Sequence, residues 1–384
     1  MNAPSKIVRL LTRINHTNLS LLIVYLLINL LFIWKYSVHY DIPSWLAALA
    51  FIVLSLFATL LVFHDFKILS SLYISNISYG IIIAAIAVVL TLFMLQFRPE
   101  QIASGRYPAI NIWIERLFTL EYPYAAGIRP SGFPFLFVLG IPFYLIGDTG
   151  LLQIFGFLIF AATLILKYPS KIQNRLRVLL LLIISPVFLY EVAVRSELFT
   201  NMALVLLFIE FCTRREKESN PASTALLGFI GGLLLSTRGI VLLAYIPFWG
   251  LVRRKYRPHW LLFSLMILAG FLITLLPFII WNSRHFISYG PFTIQMSYLP
   301  FWLLILSLVA ALFLAWKARS SARAHISAAF ILFGVVFIPF LISIFKSGVI
   351  YTILNDGFDI SYFAFTIPFL LISLKFPDST NDEN

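Results

Sequence analysis

FPFLFVLGIPFYLI, residues 133–146, decides how this chain is read. It is apolar but short, and Pro134 and Pro142 interrupt it. A helix crossing a hydrocarbon core needs about 20 apolar residues. The stretch therefore either crosses the membrane or dips into it, and every later loop changes sides with the choice. The distribution of basic residues decides, because Lys and Arg collect on the cytoplasmic side. If residues 133–146 do not cross and the N-terminus is cytoplasmic, 19 of the 28 Lys and Arg fall in inner loops. These include Lys167, Lys171, Arg175, Arg177, Arg214, Arg215, Arg253, Arg254, Lys317, Arg319 and Arg323. If the stretch crosses, the basic clusters after it become external. The expectation is a segment that dips and returns, with both termini cytoplasmic.

Outward from there the chain reads as membrane. Of its 384 residues 61% are hydrophobic and 11% charged, and mean hydropathy is +0.95. A soluble domain carries roughly a quarter charged residues. The apolar runs are continuous, not alternating ten-residue segments, which points to helices and not a barrel. Expected spans are residues 19–34, 44–63, 79–97, 151–166, 178–190, 198–211, 225–235, 240–252, 260–281, 299–316, 326–345 and 362–374. The fold class is thus an all-α polytopic membrane protein with about 12 transmembrane helices (roughly 11–13). It forms a single integral membrane domain over residues 1–384. Residues 1–97 hold N-terminal helices, 98–147 an outer loop with an interfacial helix and the re-entrant segment, 148–374 a helical bundle, and 375–384 a polar disordered tail. The net charge of +12 follows from topology and implies no nucleic-acid partner. The basic N-terminus leads into a retained first helix, not a cleaved signal. With one cysteine, Cys212, no disulfide or Cys-based metal site forms within these residues.

Residues 98–132, RPEQIASGRYPAINIWIERLFTLEYPYAAGIRPSG, are the longest polar interruption. Residues 112–120 suit an amphipathic surface helix, with Ile112, Leu117 and Leu120 toward lipid and Glu115 and Arg116 toward water. Aromatics beside Arg and Glu suit a sugar phosphate. Rings stack on sugar faces, Arg forks phosphate oxygens, and a carboxylate takes a hydroxyl proton. The plainer reading is an interfacial aromatic belt with surface ion pairs. A second constellation, YEVAVRSELFTN (190–201), puts Glu191, Arg195 and Glu197 at a membrane boundary, where ionisable groups are costly unless paired or lining an aqueous cavity. Arg238, in a short hairpin at membrane depth, needs an anionic partner, either a carboxylate or a lipid phosphate. His285, in an outer loop, reads first as a hydrogen-bonded loop residue. Asp356 and Asp359 before the last span also simply cap a helix. No Walker loop, dinucleotide glycine fingerprint, HExxH pair or Cys/His zinc spacing occurs.

The order of these motifs resembles the GT-C superfamily of integral membrane glycosyltransferases, as a divergent member. The likeness runs from the charged outer loop through YPYAAGIRPSGFPFLFVLGIPFYLIGD, ISPVFLYEVAVRSELFTNMALVLLF and GFIGGLLLSTRGIVLLAYIP to WNSRHFISYGPFTIQMSYLP, roughly residues 98–300. The resemblance implies transfer of a sugar from a polyprenyl-phosphate donor to a glycan or lipid acceptor on the outer face. The prenyl tail would lie among helices and membrane lipids, in a bacterial inner membrane. It implies an acid as base or metal ligand in the first outer loop. Glu100 is nearest by position and Glu115 next, where the family usually offers Asp. Glu197 stands where members often have a second acid, and Arg238 where many have Thr-Arg. Arg106, Tyr124, Arg129, Arg195 and Arg238 are the candidates for binding substrate and the departing phosphate, and a divalent cation is a possible cofactor. The alternatives are a flippase for a lipid-linked saccharide, a polysaccharide polymerase or ligase, or a non-catalytic scaffold.

Overall fold

A computed structural model describes residues 15–38, 43–63, 75–98, 105–125, 130–214, 220–256, 259–355 and 357–376. Among them there is helix and no strand. In chain order the elements are α1 (His16–Ser37), α2 (Ser44–Phe63), α3 (Asn76–Leu95), α4 (Arg106–Phe118), α5 (Pro134–Ile146), α6 (Leu151–Lys167), α7 (Ile172–Ile183), α8 (Pro186–Ala193) and α9 (Leu198–Arg214). There follow α10 (Pro221–Leu235), α11 (Val241–Lys255), α12 (Trp260–Trp281), α13 (Ser283–Tyr289), α14 (Pro291–Tyr298), α15 (Phe301–Lys317), α16 (Ser321–Ser347) and α17 (Val349–Ile353). A 3₁₀ turn (Ile360–Thr366) then runs into α18 (Ile367–Ile372).

Each expected span coincides with helix, but not all of these helices are long enough to cross a membrane. Among the described residues five are long and apolar enough by themselves: α1, α2, α3, α12 and α16. The number rises to as many as 8 if each of three bent pairs is one span. Residues 178–190, expected as one span, are two helices, α7 and α8, bent by 67°. The cause is local. Pro186 lacks the N–H to continue the ladder, and Ser185 caps the new helix. Asn29 of α1 stabilises the break, its Oδ1 accepting from Ser185 Oγ (2.7 Å) and Val187 N–H (3.1 Å). The decisive stretch 133–146 is α5, and it turns by 115° into α6. Gly147, at φ +112°, makes the turn in a conformation that side chains resist.

The expected amphipathic helix at 112–120 is α4, which starts earlier and ends at Phe118. Its buried face is Ile110, Trp113 and Ile114. Trp113 stacks on Phe137 of α5 at 4.4 Å. Tyr124, Phe278 and Phe286 complete a small aromatic core beside α12 and α13. The main core is formed by α1–α3, α6–α9, α11, α16, the 3₁₀ turn and α18. Its tightest contacts rest on small residues. At Gly156 of α6 a Cβ would collide with Thr200 of α9. On α10 and α12, a Cβ at Gly232 would strike the Ile267 carbonyl, and one at Gly270 the Phe229 carbonyl. Such close backbone approach is how helices gain contact in a lipid-like solvent.

Candidate functional site

The turn that ends α8 is where the site begins. Ser196 N–H donates to the Glu191 carbonyl (2.9 Å), a Schellman closure, and this puts Arg195 at the left-handed position with φ +53°. Glycine is the usual occupant, and a side chain there costs about 1–2 kcal/mol. Such strain is typically retained at sites that use it. The guanidinium of Arg195 lies 3.1 Å from Asp148, in the turn between α5 and α6, and packs over the Tyr107 ring of α4 at 5.2 Å. Gly150 makes room for it: a Cβ there would meet Arg195 Cδ at 2.5 Å.

Two further pairs close the same end of the bundle. Arg238, in the turn between α10 and α11, pairs its Nη2 with Glu197 and donates from Nη1 to Ser131 Oγ (3.0 Å). The segment bearing Ser131 is held in place by backbone bonds from Phe133 N–H to Thr237 O (3.0 Å) and Phe135 N–H to Ser236 O (3.1 Å). Gln295 of α14 ties the three segments together, donating to Ser131 O (2.6 Å) and accepting from Gly239 N–H (3.0 Å). Arg106, at the start of α4, meets Asp359 at 2.5 Å and lies over Tyr362 at 5.0 Å. Burial opposes the charge of Arg106. Asp359 first, then Tyr362, Glu197 and Glu191, outweigh that and hold its pKa well above the ordinary value. Burial likewise pushes Asp359 up, but Arg106 and the Ser361 hydroxyl and N–H prevail and hold it below the usual 3.8.

The cluster also contains groups left over. Glu191 is 0% exposed; its Oε2 accepts only a long bond from Phe199 N–H (3.4 Å), and its Oε1 has no partner. Glu197 Oε2, Arg106 Nε, Arg195 Nη1, Arg238 Nε and both side-chain polar atoms of Asn201 are buried without hydrogen-bond partners. Ser196 Oγ lies beside Glu191 without hydrogen-bond geometry. Native interiors leave few such groups, and each one calls for an explanation. Among the described residues no group of three or more His, Cys, Asp or Glu could hold a metal ion.

Comparison with family models, curated proteins and solved structures gives no match to this chain.

The structure sorts the residues singled out by sequence. Arg106, Arg195, Arg238 and Glu197 come together. Tyr124 does not join them: it is buried in the aromatic core, its hydroxyl donating to Gly132 O (3.1 Å). Glu115 is exposed on α4 and also stands apart. Glu100 and Arg129 lie outside the described residues. Asp148 and Asn201, not singled out by sequence, belong to the cluster, as do Glu191, expected to be paired or to line an aqueous cavity, and Asp359, read as a helix cap. Asp359 does cap, accepting from Ser361 N–H (3.0 Å), but its other oxygen holds Arg106. A separate polar group, missed by the sequence reading, lies at the other end of α9. There Glu210 meets His325 (2.7 Å), Lys167 (3.2 Å) and Arg214 (3.2 Å). Nearby, Cys212, Thr213, Leu251, Val252, Arg319, Ser320 and Ser321 line a cavity of about 240 Å³.

Proposed function

We propose that this protein is a membrane glycosyltransferase of the GT-C kind. It moves a sugar from a polyprenyl-phosphate donor to a glycan or lipid acceptor, on the outer face of a bacterial inner membrane. About 12 spans with both termini cytoplasmic put the Arg106 end of the bundle outside. The observation that carries the reading is the convergence of Arg106, Arg195 and Arg238 with Asp148, Glu191, Glu197 and Asp359 at one end of an apolar bundle. Buried ionisable groups in a membrane protein are expensive and mark function. Preorganised charges in a water-poor site are what transfer to a hydroxyl requires. Transport is the weaker reading, because it needs a polar path to the other face. Between Asn201 and Glu210, about 14 Å along α9, the buried side chains are Met202, Ala203, Val205, Leu206 and Ile209.

The test is a membrane assay with the full chain and a radiolabelled polyprenyl-phosphate hexose or pentose. Label is expected to move to acceptor only in membranes containing the chain, and Glu197→Gln is expected to lower the rate tenfold or more. Movement of intact donor between leaflets without transfer would establish the flippase instead.

A further inference from the structure

We propose that Glu191 is the proton acceptor of the transfer, and that the buried cluster around it takes the uncharged, hydroxyl-bearing end of the acceptor, not the donor phosphate. This rests on the glycosyltransferase reading. It differs from the sequence expectation twice, by moving the base from the loop acids Glu100 and Glu115 and by freeing Arg195 and Arg238 from phosphate binding.

The first argument is pairing. Arg106 is engaged by Asp359, Arg195 by Asp148 and Arg238 by Glu197. Lys35, buried at the end of α1, adds to the positive field on Asp359. Four cations thus face four carboxylates. A phosphate would bring further negative charge into a buried region whose arginines are already neutralised, and desolvating it there would go uncompensated. A sugar or polyol brings hydroxyls alone. Each hydroxyl donates one hydrogen bond and accepts others. The unpartnered atoms match: Glu191 Oε1 and Glu197 Oε2 accept, Asn201 both donates and accepts, and Arg106 Nε, Arg195 Nη1 and Arg238 Nε donate.

The second argument singles out Glu191. Of the four carboxylates it alone has no Arg contact at hydrogen-bond distance, although Arg106 acts on it through space. A carboxylate with a free oxygen, buried beside a cation engaged elsewhere, is a poor structural element. It is a suitable general base for a hydroxyl that docks on it. In the step, the acceptor oxygen forms a bond to the anomeric carbon while its proton passes to Glu191 Oε1. The bond from the anomeric carbon to the phosphate oxygen breaks, and its electron pair leaves with polyprenyl phosphate. Glu191 then returns the proton to water.

The experiment compares wild type with Glu191→Gln, a near-isosteric change, in the same membrane transfer assay. Size-exclusion chromatography in detergent monitors folding. A folded Glu191→Gln protein is expected to lose at least 100-fold in kcat, while KM for the labelled donor and inhibition by prenyl phosphate stay within threefold. A kcat within threefold of wild type overturns the proposal, as does a tenfold weakening of prenyl-phosphate inhibition, which would put the phosphate in the cluster. If Glu191→Gln does not fold, Glu191→Asp decides, since it keeps the carboxylate but shortens its reach. A tenfold fall in kcat at constant KM is expected, and an unchanged kcat overturns the assignment. A wild-type chain that transfers no label from either donor refutes the glycosyltransferase reading itself, an outcome distinct from failure of Glu191 alone.

Discussion

At the scale of single residues, this protein holds charge where an apolar solvent makes charge costly, and it does so by pairing. Of the three arginine–carboxylate pairs in the cluster, the tie between Arg106 and Asp359 is the most accessible, since the Asp359 side chain is 41% exposed while that of Arg106 is 12% exposed. Its pH dependence follows from the depressed pKa of Asp359. A carboxylate held below its unfolded value contributes stability that is complete above that value and is lost as pH falls through the folded value. Wild type and Asp359→Asn should therefore differ in detergent melting temperature by a constant amount above about pH 4, and the difference should shrink as pH falls below it. A gap unchanged down to pH 3 would remove the pair as its cause. Arg195 shows what sequence conceals at this scale. Nothing in YEVAVRSELF announces a left-handed backbone, because glycine, its usual signal, is absent.

At the scale of elements, helix positions follow from hydropathy, but helix contacts are decided by a few small side chains. Gly232 and Gly334 make a controlled comparison, since both lie within helices, α10 and α16. A Cβ at Gly232 would clash with the Ile267 carbonyl and sit 2.8 Å from Phe271 N, whereas one at Gly334 meets nothing within 4 Å. Gly232→Ala should separate α10 from α12 and destabilise by about 1–3 kcal/mol. Gly334→Ala should stabilise by up to about 1 kcal/mol, the helix-propensity gain. Thermal unfolding in detergent measures both, and equal shifts would mean the α10–α12 contact does not depend on backbone approach. The bend between α7 and α8 was half legible. Pro186 announces a break in residues 178–190, but the partner that makes the break tolerable, Asn29, lies far back in α1.

At the scale of the whole molecule, orientation can be read from outside the cell. Cys212 is the chain's one cysteine and is buried, so a Cys212→Ala background accepts single reporter cysteines. A membrane-impermeant maleimide on intact cells is expected to label Glu115→Cys and to spare Arg319→Cys until the cells are opened. The opposite pattern would invert the topology and put the Arg106 cluster in the cytoplasm. The amino-acid sequence alone determined the solvent and the helices: 61% hydrophobic residues in long runs leave a helical membrane protein as the outcome, and basic residues concentrated in alternate loops supply the expected orientation. It also marked Glu191, Arg195, Glu197 and Arg238 as costly, since one-dimensional hydropathy suffices to find a charge beside an apolar run. The tertiary structure decided which costs cancel. Asp148, Glu197 and Asp359 each meet an arginine from a different element, and Glu191 remains without one. Pairing is a matter of distance between segments far apart in the chain, and short-range pattern contains no information about it.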